Sequence, residues 1–137
     1  MIPAPDKSEV PIAFVLFAVI VFMICGTAMT RCHGSEVTPA FVDWAIQRES
    51  KGNPKARGKN GEVGLLQIKR IALADVNADA GTNYTMRDLL DPVVNRWVGT
   101  RFMHIQERRL VAYLRRQPSQ SEIYGAFRRG FKGVMAK

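Results

Sequence analysis

Glu49 is the acid whose neighbours could do chemistry. Phe41, Val42, Ala45 and Ile46 recur at helical spacing, and Glu49 continues that stripe from Phe41 and Ala45. Its carboxyl therefore leaves the core-facing side of a helix close to its end, because Gly52-Asn53-Pro54 stops the helix just afterwards. Partial desolvation favours the uncharged form of a carboxyl, so an acid placed this way can hold a proton for donation near neutral pH. Glu62 and Asp91 are candidates for a second carboxylate. Asp91 precedes Pro92 and reads first as a helix N-cap. Glu62 lies in a turn-rich loop and reads first as a surface acid. Cys32-His33 has no further ligands nearby and there is no phosphate-binding loop, so no metal or other cofactor is expected.

The elements that must position Glu49 read as mainly helical. Thr38 is the N-cap of its helix, with Pro39 at the first helical position. The stretch from Asn53 to Gly64 is loop-like, and its Asn60-Gly61 pair could close a short hairpin. Leu65, Ile68, Ala72 and Val76 predict a second helix that ends by Gly81. Thr85 and Asp88 resemble a capping box without its usual Glu or Gln. Asp91-Pro92 opens a long helix with the stripe Val94, Val98, Phe102 and Ile105, and Trp97 beside it. Ser119 and Glu122 cap a last helix, whose Ile123, Ala126 and Phe127 face inward.

A chain of 137 residues suffices for one small domain with an appendage. The appendage is the stretch from Val10 to Thr30, which holds no charged residue. As a helix it would span roughly 31 Å, close to the ~30 Å hydrocarbon thickness of a bilayer. It reads as an N-terminal transmembrane anchor, with a cleaved signal peptide as the alternative. The expected organisation is an anchor or signal segment at 1–30, a linker at 31–38 and the helical domain at 39–137. The net charge is +8, with clusters at Arg108-Arg109, Arg115-Arg116 and Arg128-Arg129. Such a surface attracts polyanions. No helix-turn-helix, zinc or RNA-binding signature is present, so nucleic acid is not the expected partner.

Several motifs follow one another in order: Arg48-Glu49-Ser50 with Gly52-Asn53-Pro54, then Gly61-Glu62-x-Gly64-Leu65-Leu66-Gln67-Ile68, then Asp75-Val76-Asn77 with Tyr84, then Asp88-Leu89-x-Asp91-Pro92-x-x-Asn95. From about Phe41 to Gly133 the chain resembles the lytic transglycosylase and goose-type lysozyme superfamily, especially its small phage and secretion-linked members. The resemblance implies a lysozyme-like (α+β) domain, mainly α, with at most a short hairpin. It makes Glu49 the catalytic acid/base and Ser50 its supporting neighbour. Gln67 becomes the amide that hydrogen-bonds substrate, and Gly64 leaves room for the sugar. Glu62 and Tyr84 join the substrate-binding set. The late family motif Ala-Tyr-Asn-x-Gly corresponds to Ala126-Phe127-Arg128-Arg129-Gly130, so Phe127 can stack on a sugar but lacks the hydroxyl, and Arg128 replaces an Asn.

The implied activity is cleavage of peptidoglycan between N-acetylmuramic acid and N-acetylglucosamine. One acid suffices where the substrate's own C6 hydroxyl is the nucleophile, whereas most glycosidases need two carboxylates. A hydrolytic muramidase on the same scaffold, or a wall-binding or assembly protein without turnover, are the alternatives. The expected partners are glycan strands, a membrane through residues 10–30, and proteins of a phage virion or a secretion apparatus. The expected location is a membrane anchor with the domain on the periplasmic, cell-wall side, or a virion component.

Overall fold

The computed structural model describes residues 34–136. The uncharged stretch at 10–30, with Cys25, and Cys32 beyond it lie outside the described residues. Among the described residues no helix is long and apolar enough to cross a membrane. The domain is mainly α: α1 (Pro39–Ser50), α2 (Arg70–Ala80), a 3-10 turn (Asp88–Leu90), α3 (Pro92–Leu114), α4 (Gln120–Arg129) and α5 (Phe131–Met135). No extended strand joins them among the described residues. Two isolated antiparallel bridges, Arg57 with Val63 and Val63 with Ile68, stand where the sequence allows at most a short hairpin.

The capping signals act where the sequence puts them. The Thr38 hydroxyl accepts the N–H of Phe41, and Pro39 begins α1. Asp91 accepts the N–H groups of Val93 and Val94 and starts α3. Ser119 and Glu122 form a full capping box on α4. Thr85 and Asp88 make the incomplete version, the Asp88 carboxylate accepting both the N–H and the hydroxyl of Thr85. Helix α2 ends at Gly81, whose φ of 65° supplies the left-handed C-cap.

The second helix starts later than the apolar spacing predicts. Leu65 and Ile68 lie outside α2, which begins at Arg70. Val63 and Ile68 exchange both backbone hydrogen bonds, at 3.1 and 3.0 Å. Closing that bridge needs Gly64 at φ 79° and Gln67 at φ 47°, both left-handed, so no helix can pass through. The apolar residues of this loop are still core: Val63, Leu66 and Ile68 are buried.

Buried Asn95, on the first turn of α3, holds the loop in place. Its Oδ1 accepts the N–H of Leu66, and its Nδ2 donates to the carbonyls of Val63 and Leu89, all at 2.9 Å. The Leu66 N–H and the Leu89 carbonyl are interior backbone groups that need this partner, and the Val63 carbonyl gains a second donor beside Ile68. Leu66 then packs against α3 at Gly99, where a side chain would strike it.

Helix α3 is the centre of the domain, with Val98, Phe102, Met103, Ile105 and Leu110 buried along it. Val94, expected in the same stripe, is only half-buried. Helix α2 is held to α3 by ion pairs, Arg101 and Arg108 with Asp79 and Arg109 with Asp75. Exposed pairs of this kind contribute at most about 1 kcal/mol each. The last residues of the 31–38 linker stretch are fastened to the domain. The buried Glu107 carboxylate on α3 accepts the Ser35 hydroxyl and the Glu36 N–H, both at 2.7 Å, and the Gln117 amide at 3.0 Å.

Candidate active site

Glu49 lies in the last turn of α1, which closes two residues later through Lys51 in the left-handed conformation. Its side chain is 13% exposed. It borders a cleft of about 570 Å³ between the 61–69 loop, the start of α2 and the C-terminal end of α4. Glu49, Glu62, Gln67, Lys69, Phe127, Arg128 and Arg129 supply its polar and aromatic lining, and Ile68, Ile71, Ala72 and Phe102 its apolar wall.

Two groups of α4 reach Glu49. The Tyr124 hydroxyl donates to Glu49 Oε1 at 2.5 Å. Arg128 Nε stands 3.4 Å from the same oxygen, and its guanidinium carbon lies 5.9 Å from the centre of the Tyr124 ring. Burial, reinforced by the bond to Glu49, pushes the Tyr124 phenol up to about 12. The hydroxyl therefore keeps its proton throughout the neutral range and is a constant donor to Glu49. Its ring is fixed by neighbours on both sides, parallel to Phe127 at 6.4 Å and edge-on to Trp44 at 4.9 Å.

The opposite wall is held by the loop. Gln67 donates its amide nitrogen to the carbonyls of Ala56 and Gly64, at 3.2 and 2.8 Å. Among the described residues its amide oxygen has no hydrogen bond, and this end of the side chain is the one available to a ligand. Glu62 accepts from the Asn60 N–H and is paired with Lys69 at 3.8 Å. Its pKa is held below the ordinary carboxylate value, first by its own backbone N–H, then by Asn60 and Lys69. Glu62 is thus an ionised acid already engaged by the protein.

Of the residues that the sequence singles out, Glu49, Glu62, Gln67, Phe127 and Arg128 meet in this cleft. The others stand elsewhere. Gly64 is buried behind the wall, where a side chain would run into Asn95 and the Leu89 carbonyl, so its missing Cβ makes room for protein rather than for sugar. The Ser50 hydroxyl donates to the Ile46 carbonyl within α1 and supports the helix end rather than the acid. Tyr84 does not reach the cleft. Asn77 bonds its backbone on both sides, its ring meets Trp97 at 5.7 Å, and it borders a separate hollow beside Arg70 and Leu73. Asp91 is an exposed helix cap. Among the described residues no group of His, Cys, Asp and Glu could hold a metal ion.

Tyr124 is the site residue that sequence reasoning missed. One helical turn before Phe127, it shares that residue's face of α4 and brings the hydroxyl that Phe127 lacks. A tyrosine three residues ahead of the phenylalanine that replaces the motif's own tyrosine was the available signal.

A family model described as a transglycosylase SLT domain matches residues 30–136. No curated protein and no solved structure matches the chain.

Proposed function

The chain belongs to the SLT transglycosylase family, whose members cleave glycans, and on that premise we propose that it is a peptidoglycan lytic transglycosylase with Glu49 as its only acid/base. Glu49 protonates the glycosidic oxygen between N-acetylmuramic acid and N-acetylglucosamine, and the C1–O bond breaks. The muramoyl C6 hydroxyl attacks C1, and its proton passes to the Glu49 carboxylate. The acid is regenerated, no water is consumed, and the product carries a 1,6-anhydro end. Tyr124, always a donor, stabilises the Glu49 carboxylate between the two proton transfers and holds it toward the cleft.

The observation that carries this reading is the contrast between the two acids of the cleft. Both side chains are 13% exposed, but Glu49 takes a short hydrogen bond from the neutral Tyr124 phenol and a contact of only 3.4 Å from Arg128. Glu62 is committed to Asn60 and Lys69, which suits a wall residue better than a base that must activate water. A second reading, a hydrolytic muramidase, is favoured by Glu62 lining the same cleft, since hydrolysis calls for a second carboxylate.

The uncharged stretch at 10–30 supports a membrane anchor that carries the domain. The substrate then sets the domain on the wall side of the cytoplasmic membrane. An anchored domain that opens the wall suits a phage virion or a secretion apparatus.

Digestion of purified peptidoglycan by the full chain in detergent, with mass analysis of the released muropeptides, tests the proposal. Anhydro ends are expected, lighter by one water than hydrolysed ends. Glu49→Gln is expected to lower the rate by about 10²–10⁴-fold, the range of general acid–base catalysis. Hydrolysed ends would instead establish the muramidase, and no release by the folded parent would leave a wall-binding role.

A further inference from the structure

The three arginine pairs singled out by composition have different fates in the fold. Arg108 and Arg109 are taken by Asp79 and Asp75 of α2. Arg116 forms two hydrogen bonds to Glu122. Arg128 and Arg129 instead lie on the cleft, next to Lys69. Lys69 shares its charge with Glu62 and also donates to the Arg128 carbonyl at 3.5 Å.

Arg128 is loosely held. Its contact with Glu49, from Nε, measures 3.4 Å, longer than the roughly 2.7–2.9 Å of a well-made charged hydrogen bond. Its side chain is 60% exposed, although it borders the same cleft as the largely buried Glu49. Among the described residues its two terminal nitrogens have no hydrogen bond. A guanidinium laid over an aromatic ring with its fork unused is arranged to receive a planar, bidentate anion.

We propose that Arg128 reads a carboxylate on the glycan, giving this cleft a preference for acid-bearing muramoyl units over neutral amino sugars. This rests on the reading of the preceding section. N-acetylglucosamine has no carboxylate. A muramoyl unit carries one on its lactyl ether when the strand is stripped of peptides, and its peptide stem carries others when it is not. Glu49 is the carboxylate that Arg128 contacts within the protein. An incoming carboxylate takes the fork of Arg128 and draws it from Glu49, so recognition of the correct sugar also releases the acid for proton transfer. An asparagine at this position hydrogen-bonds an amide or a hydroxyl equally well and makes no such distinction.

The test compares three muramoyl tetrasaccharides as substrates of the full chain: one with free lactyl carboxylates, one with those carboxyls as methylamides, and one with peptide stems. For the wild type, KM is expected to be roughly ten-fold lower on at least one acid-bearing probe than on the methylamide, the size of one charge-assisted hydrogen bond. The kcat is expected to be higher on the same probe, since the carboxylate that takes Arg128 also frees Glu49. Preference for the free lactyl probe identifies stripped strands as the source, and preference for the stem-bearing probe identifies the stem. Arg128→Asn is expected to level the KM values, and Arg128→Lys to restore the preference in part. A structural role alone would move all three probes together. Equal KM values in the wild type, or an unchanged preference in Arg128→Asn, would overturn the proposal. If no probe is cleaved, the proposed reaction fails instead, and calorimetric Kd values for the same probes and variants decide on Arg128 separately.

Discussion

On one side of Glu49 the cleft is bounded by the 61–69 loop, whose polar groups are mostly spent inside the protein. On the other side stands α4, which offers its polar side chains to the cleft. The loop depends on buried Asn95, on left-handed Gly64 and Gln67, and on the bridge between Val63 and Ile68. Helix α4 depends on its capping box and on the buried face of Ile123 and Ala126, which leaves Tyr124 and Arg128 to meet the acid. The difference separates two tasks. One wall sets the shape of the cleft and tolerates little change. The other sets its chemistry and can vary without loss of the fold.

That division can be broken first at Asn95. Replacement by alanine orphans the Leu66 N–H and the Leu89 carbonyl and takes one of its two donors from the Val63 carbonyl. A loss of about 3 kcal/mol or more is expected, a fall of roughly 15 °C in the thermal midpoint followed by circular dichroism. If the midpoint stays within a few degrees, the loop wall is not held as described. Tyr124→Phe acts on the other wall and is expected to do the reverse. The ring keeps its places beside Phe127 and Trp44, so the midpoint should stay within a few degrees. The kcat on peptidoglycan should fall about ten-fold, for loss of one charged hydrogen bond to the acid. Equal damage to midpoint and kcat would erase the distinction between the walls.

The smallest effect concerns the cap of α4. Arg116 first, then the Ser119 N–H, hold the Glu122 carboxyl down at about 2. A depressed folded value stabilises the domain above the unfolded value of 4.5 and loses that stabilisation as pH falls toward 2. The stability gap between the wild type and Glu122→Gln, measured by urea unfolding, should therefore be largest at neutral pH. It should narrow between pH 4.5 and 2. A gap that does not change with pH would mean that the cap acts without its charge.

The sequence made the helices and the acid legible where one residue type does one local job. Thr38-Pro39, Asp91-Pro92 and the pair Ser119 and Glu122 each mark a helix start through a cap that needs no tertiary partner. Glu49 follows from the stripe of α1 by the same local logic. The loop from Gly61 to Lys69 was harder to read. Apolar residues at Leu65 and Ile68 satisfy helical spacing, yet a bridge that turns on a left-handed Gln67 buries Ile68 equally well. The cleft lining divides along the same line. Gln67 and Phe127 reach it, whereas Tyr84, close to them in motif order, is pinned to Asn77 and faces another hollow. Tyr124 escaped notice because an aromatic residue on the inward side of α4 reads as core until its hydroxyl is seen against Glu49.

The fastening of Ser35 and Glu36 to Glu107 has a mechanical meaning. A pull applied to the chain at Gly34 is met by the Glu107 carboxylate of α3 before it reaches the cap of α1 at Thr38. The load enters the domain through two short hydrogen bonds to its most buried helix, away from the turn that presents Glu49. Tension on the chain is thereby kept apart from the geometry of the acid.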